Sequence, residues 1–200
     1  FFFKQKTAYE IPKRDWSSDV CSSDLPDCKI TYLEGNHETR LSRYIAENVP
    51  GPLQKSLRSL PEALHLDKLG IHWIPEDKQP IEIGTMDLLH GHQIPGRMLP
   101  KHHAAKVADL YAAPGRSVVI GHSHRPQRFV RASKRGNATG IALGAGRTLD
   151  PKWMKGGPGG WDLEWLIYTV VDGVTHTAQV PFVNGQMVWG GRVYGGAGHV

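Results

Sequence analysis

The tightest constraint on this chain is Gly121-His122-Ser123-His124, which follows directly on the run Ser117-Val118-Val119-Ile120. A β-branched run closing in glycine reads as a buried strand entering a tight loop. Alternate side chains of an extended backbone share a face, so His122 and His124 are expected to leave the strand end together. Neutral imidazole is the commonest protein metal ligand. Two solvated loop histidines are the plainer reading of an isolated His-x-His. Two further stretches weigh against it, Gly35-Asn36-His37-Glu38 and Leu88-Leu89-His90-Gly91-His92, because each places polar ligand types after an apolar run.

Two hundred residues, 40% of them hydrophobic, suit one domain with a real core. No apolar run approaches the roughly 18 residues needed to span a bilayer, so a soluble chain without membrane contact is expected. Two cysteines, Cys21 and Cys28, make no disulfide framework. That pattern fits a reducing, cytoplasmic setting. The net charge of +5 leans towards an anionic partner.

Residues 1–25 stand apart. Phe1-Phe2-Phe3 is too short for a signal-peptide core and precedes its lysines, and Ser-Ser-Asp occurs at Ser17 and again at Ser22. The segment resembles the in-frame translation of a short-read sequencing adapter, with Pro12-Lys13-Arg14 where a variable index falls. It is therefore expected to be a non-native, disordered tail, leaving 26–200 as the domain. A fusion at Leu25 would make that domain a fragment of a longer protein.

Along the remaining chain, Cys28 to Leu33 reads as a strand. Glu38 to Val49 reads as a helix with Leu41, Tyr44 and Ile45 on its inner stripe. Leu53 to Leu66 reads as a second helical stretch, restarted at Pro61 and closed by Gly70. Short strands are expected at 71–74, 81–83 and 86–89, and a helix at 101–113 with Ala104, Val107, Ala108 and Tyr111 inward. Strands at 117–120, 128–131 and 140–143 follow. The tail reads as strands 165–171, 174–183 and 187–189, joined by Asp172-Gly173 and Asn184-Gly185, both strong hairpin signals. Strand–helix alternation followed by a meander argues for layered α/β packing with an antiparallel part.

Gly35-Asn36-His37-Glu38, His90-Gly91 and Gly121-His122-Ser123-His124 stand in the order of the last three blocks of a familiar pattern. That pattern is D-x-H, G-D-x-x-D, G-N-H-D/E, a histidine often followed by glycine, then G-H-x-H. From Asp27 to about Arg131 the chain resembles the calcineurin-like metallophosphoesterases. The resemblance implies an α/β four-layer sandwich of two mixed β-sheets flanked by helices, here lacking its first strands. It implies a phosphomonoester or phosphodiester hydrolase, with a polynucleotide among the substrates that the charge favours. Two divalent cations (Mn, Fe or Zn) roughly 3.5–4 Å apart would clamp an in-line attack by hydroxide. By position, Asn36, His90 and His122 would hold one metal and His124 the other, while His37 would protonate the leaving group.

The first two blocks are missing before Gly35, and Asp15 and Asp24 lack their flanking residues. Without the bridging carboxylate those blocks supply, two adjacent cations repel by several kcal/mol. The parent protein is thus expected to be a two-metal enzyme, and this chain to hold at most one metal. The alternative is a non-catalytic scaffold that keeps the fold.

Among the other residues, Arg125 is a candidate phosphate contact beside the histidines, and Arg40 a candidate at the site's mouth. Arg128 and Arg131 read as solvated ends of an edge strand. His92 reads as a plain loop histidine, with an orienting role for His90 as the alternative. His102 and His103, at the positive end of a helix, read as loop or surface residues. Trp153, Trp161 and Trp165 read as core and loop anchors, and Cys28 as a small buried hydrophobe.

Overall fold

The computed structural model describes residues 2–5, 28–94, 102–146, 149 and 160–195. The chain divides into two compact units, Phe1–Gln79 and Pro80–Val200.

In the first unit, β2 (Lys29–Leu33) runs parallel to β3 (Ile71–Ile74), Ile30 opposite Ile71 and Leu33 opposite Ile74. The other edge of β2 is taken by β1 (Phe2–Gln5), antiparallel, with Phe2 opposite Tyr32. Residues 2–5 were expected to be disordered; they are instead a strand. The physical reason is the bare edge of β2, whose unpaired N–H and C=O groups accept any extended segment within reach. The rest of the expected tail lies outside the described residues.

Between β2 and β3 lie α1 (Thr39–Asn48), α2 (Gly51–Gln54) and α3 (Leu60–Ala63). The helical stretch expected from Leu53 to Leu66, restarted at Pro61, is two separate turns. Ser59 restarts the chain, donating its backbone N–H and its hydroxyl to Glu62, each at 2.7 Å. Gly70, at φ +66, makes the turn into β3 that an L side chain resists. The inner stripe expected on α1 is not buried: Leu41 and Tyr44 are exposed. Leu33 and Leu66 are the buried apolar side chains among the described residues of this unit. Tyr32 and Trp73, cross-strand neighbours, stack with centroids 5.0 Å apart.

The second unit is built on a five-stranded mixed sheet. Its members are β4 (Ile81–Ile83), β5 (Met86–Leu89), β6 (Ser117–Ile120), β7 (Gln127–Arg131) and β8 (Ala138–Ala142). The order is β4-β5-β6-β8-β7, with β5, β6 and β8 parallel and the two edge strands antiparallel to their neighbours. Parallel strands covered on both faces need continuous apolar runs, and Val118, Val119, Ile120 and Ile141 are all buried.

Helix α4 (His103–Leu110) lies on β7 and β8 with Ala104, Val107 and Ala108 buried. A Cβ on Gly140 would collide with the carbonyl oxygen of Ala104 and reach 2.8 Å from the nitrogen of Ala108. Glycine at this position lets the helix rest directly on the β8 backbone. The helix ends at Leu110, so Tyr111, expected inward, is exposed. Arg131 donates to the carbonyls of Asp109 and Ala112 near the end of α4. Arg128 donates to Thr177 at 3.2 Å. Both arginines therefore have structural partners at the edge strand.

A long hairpin, β9 (Glu164–Val171) and β10 (Val174–Pro181), turns at Asp172-Gly173 with φ of 49° and 78°. Two positive φ values in a two-residue loop match the twist of the flanking strands. A short pair, β11 (Met187–Trp189) and β12 (Arg192–Tyr194), follows; β12 was not foreseen. Thr85 and Thr175 exchange backbone-to-hydroxyl hydrogen bonds of 3.2 and 2.9 Å, tying the β4–β5 turn to β10. The architecture is α/β with mixed sheets. Among the described residues no helix is long and apolar enough to cross a membrane.

Candidate metal centre

In the second unit, parallel neighbours β5 and β6 end side by side, Leu89 opposite Ile120. The carbonyl of His90 then accepts two N–H groups, from Gly121 at 3.1 Å and His122 at 2.9 Å. This fork fixes where both chains leave the sheet. Gly91, at φ +109, completes it: a Cβ there would stand 2.8 Å from the Ile120 Cβ and 3.3 Å from the His122 Cβ. The glycine after His90 is thus required by the close approach of the two strand ends.

The fork brings the rings together. His122 Nδ1 lies 3.2 Å from His90 Nε2, with centroids 5.2 Å apart and planes inclined by 62°. His92 joins them, its centroid 5.1 Å from His90 and 6.2 Å from His122. The plain loop histidine expected at 92 is therefore part of an imidazole cluster. Gly91 is the cause, since its turn folds His92 back towards His90.

Imidazole nitrogens about 2.0–2.1 Å from one cation at a tetrahedral angle stand about 3.3 Å apart. The spacing of the His90–His122 pair fits that requirement. Without a cation, the same spacing fits one ring donating an N–H to the other. Among the described residues no group of three or more His, Cys, Asp or Glu side chains is arranged to hold a metal.

His124 takes a different course. Residues 122 and 123 form a turn, so the alternation expected of an extended strand stops at Ile120. His124 itself adopts φ 55, the left-handed region. Its ring meets the edge of Trp161, with centroids 4.4 Å apart and planes at 76°. Ser123 between the two histidines is buried, and its hydroxyl has no hydrogen-bond partner among the described residues. Arg125 is half-buried, with its guanidinium against Gly160.

Asn36 and His37 belong to the first unit, in the turn between β2 and α1; Asn36 is half-buried and His37 exposed. The turn is held by Glu38, a role that sequence reasoning missed. Its carboxylate accepts the Tyr32 hydroxyl at 2.6 Å and the Gly35 N–H at 2.9 Å. Thr39 Oγ1 donates to the Asn36 carbonyl at 3.1 Å. Burial pushes the Glu38 carboxyl up, but the hydrogen bonds from Tyr32 and from backbone N–H groups outweigh it, and the pKa is lowered. Burial first, then Glu38, drives the Tyr32 hydroxyl well above its ordinary range. A signal was present: an acid three residues after a turn glycine, the spacing of a capping box.

Other expectations sort as follows. His103, read as a loop or surface residue, is buried at the start of α4. Cys28 is half-buried rather than buried, and Trp165 is exposed. Arg40 is exposed on the first turn of α1. Trp153 lies outside the described residues.

In comparison with known proteins, the chain matches no family model, no curated protein and no solved structure.

Proposed function

We propose that this chain carries part of the metal centre of a metal-dependent phosphoester hydrolase. In this reading the α/β units are pieces of a calcineurin-like four-layer sandwich. The observation that carries the proposal is the 3.2 Å approach of His122 Nδ1 to His90 Nε2 from two adjacent strand ends. A surface histidine pair needs no carbonyl fork and no obligatory glycine; this one has both. Imidazole donors suit Zn, Mn or Fe.

A divalent cation held there supplies Lewis acidity and a water of lowered pKa. To hold it, His122 must keep its proton on Nε2 and His90 on Nδ1, so that the facing nitrogens offer lone pairs. Arg125 would neutralise phosphoryl charge through its fork of donors. For Asn36, His37 and His124 the proposal keeps the roles implied by resemblance: an amide-oxygen ligand, a proton donor to the departing alkoxide, and a further metal ligand. The substrate class is a phosphomonoester or phosphodiester, and the positive charge leaves polynucleotides within it.

The test uses 4-nitrophenyl phosphate and bis(4-nitrophenyl) phosphate with added Mn²⁺. The 200-residue chain lacks D-x-H and G-D-x-x-D and is expected to show no turnover. A chain extended upstream to include those blocks is expected to hydrolyse at least one ester, and to lose that activity in His122→Ala and in His124→Ala. Turnover that survives both substitutions contradicts the proposal.

A further inference from the structure

We infer that Trp161 is a positioning residue for His124, and that Gly160, Trp161 and Asp162 brace the His124–Arg125 pair. The significance of the brace rests on the metal-site reading of His124; the contact itself does not.

His124 is one of a handful of residues other than glycine with a positive φ, at 55°. Such a conformation persists in an L residue where surrounding groups over-determine it. One backbone hydrogen bond and two side-chain contacts surround His124 and Arg125 here. The Asp162 N–H donates to the His124 carbonyl at 3.3 Å. The Trp161 ring meets the imidazole edge to face at 4.4 Å and 76°, the favoured geometry for aromatic pairs. Gly160, at φ +90, lies so close to Arg125 that a Cβ would stand 3.3 Å from its Nη1.

The brace is anchored in turn. The Asp162 carbonyl accepts the Ala145 N–H at 2.7 Å, and Ala145 bridges to Leu163. These contacts tie it to the segment leaving β8, the strand beside β6. An imidazole whose ring plane is fixed beforehand loses less freedom on binding a cation. The composition of the chain read Trp161 only as a loop anchor; its ring contact gives it a specific client.

The test is carried out on the full 200-residue chain by NMR, with the His124 ring resonance assigned by its loss in His124→Gln. The indole ring current should displace that resonance from the position of a free histidine. Trp161→Ala should release it and raise the mobility of the His124 ring as read by NMR relaxation, while Trp161→Phe, which keeps an aromatic edge contact, should preserve most of the displacement and of the ring's order. Gly160→Ala, which crowds Arg125 and leaves the indole in place, provides the second variant should Trp161→Ala fail to fold; it should also shift the resonance. Unchanged ring mobility in Trp161→Ala, or an undisplaced resonance in the native chain, overturns the inference. Zn²⁺ binding by the native chain is measured separately and bears on the metal-site reading alone.

Discussion

Replacing Glu38 by glutamine tests whether one carboxylate holds the turn that carries Asn36 and His37. Glu38 accepts two hydrogen bonds, from Tyr32 and from the Gly35 N–H. Glutamine keeps the shape but offers one acceptor oxygen, so one of the two donors loses its partner. A hydrogen bond to a charged acceptor contributes about 1.5–3 kcal/mol, and the half-exposed setting trims this to the low end. Glu38→Gln should therefore cost about 1–2 kcal/mol at neutral pH, a factor of roughly 5–30 in the folded-to-unfolded ratio.

The sign of the pH dependence follows from the lowered pKa of Glu38. A carboxyl whose folded pKa lies below its unfolded value stabilises above the unfolded value, and that stabilisation is lost as pH falls through the folded one. The gap between native and variant should be full above about pH 5, where a free glutamate is ionised, and should close in stronger acid. Urea unfolding followed at the Trp73 indole resonance reads the unit concerned, because Trp73 stacks on Tyr32. Equal stability at neutral pH, or a gap that persists unchanged in acid, would refute the reasoning.

Gly140→Ala should be strongly destabilising, by about 3 kcal/mol or more, because the new methyl meets backbone of α4 and has nowhere to move; thermal unfolding with little change in melting temperature would show that α4 does not rest on β8. Ser123→Ala removes a buried hydroxyl with no partner among the described residues, and should leave stability unchanged or raise it by up to about 1 kcal/mol, as read by calorimetry. Glu164 is buried against Gln179, and burial raises its pKa above the ordinary value. Its folded form holds a proton more tightly than its unfolded form, so native stability falls as pH rises through the folded pKa. Glu164→Gln, which cannot ionise, should gain stability relative to the native chain between mildly acidic and alkaline pH, and a constant difference would contradict this.

The strands of the five-stranded sheet were legible because parallel strands buried on both faces leave uninterrupted β-branched runs such as Ser117–Ile120. The hairpin turns were legible because Asp172-Gly173 and Asn184-Gly185 supply left-handed backbone. The helical stripe of α1 misled, since periodicity reports amphipathicity and not what covers the face; Leu41 and Tyr44 are exposed. Between Leu53 and Leu66 the restart at Pro61 was legible, but the non-helical residues 55–59 before it were not, because apolar spacing continues up to Ser59, which a local carboxylate caps. Residues 2–5 pair with β2 for a reason that lies in the partner edge and not in their own pattern.

At the site, the strand ends that carry His90 and His122 were legible from the apolar runs before them, while the parallel pairing that sets those ends side by side was not. The inclusion of His92 was not, because it depends on the positive φ of Gly91. Nor was the turn that sends His124 to Trp161, since alternation applies only while the backbone stays extended.

In the proposed reading His90 and His122 jointly hold one divalent cation. Zn²⁺ titration of the native chain, His90→Ala, His122→Ala and the double variant measures it directly. One site is expected in the native chain, weakened by each single substitution, with the second substitution adding little to the first. A double variant that binds Zn²⁺ as tightly as the native chain would contradict it.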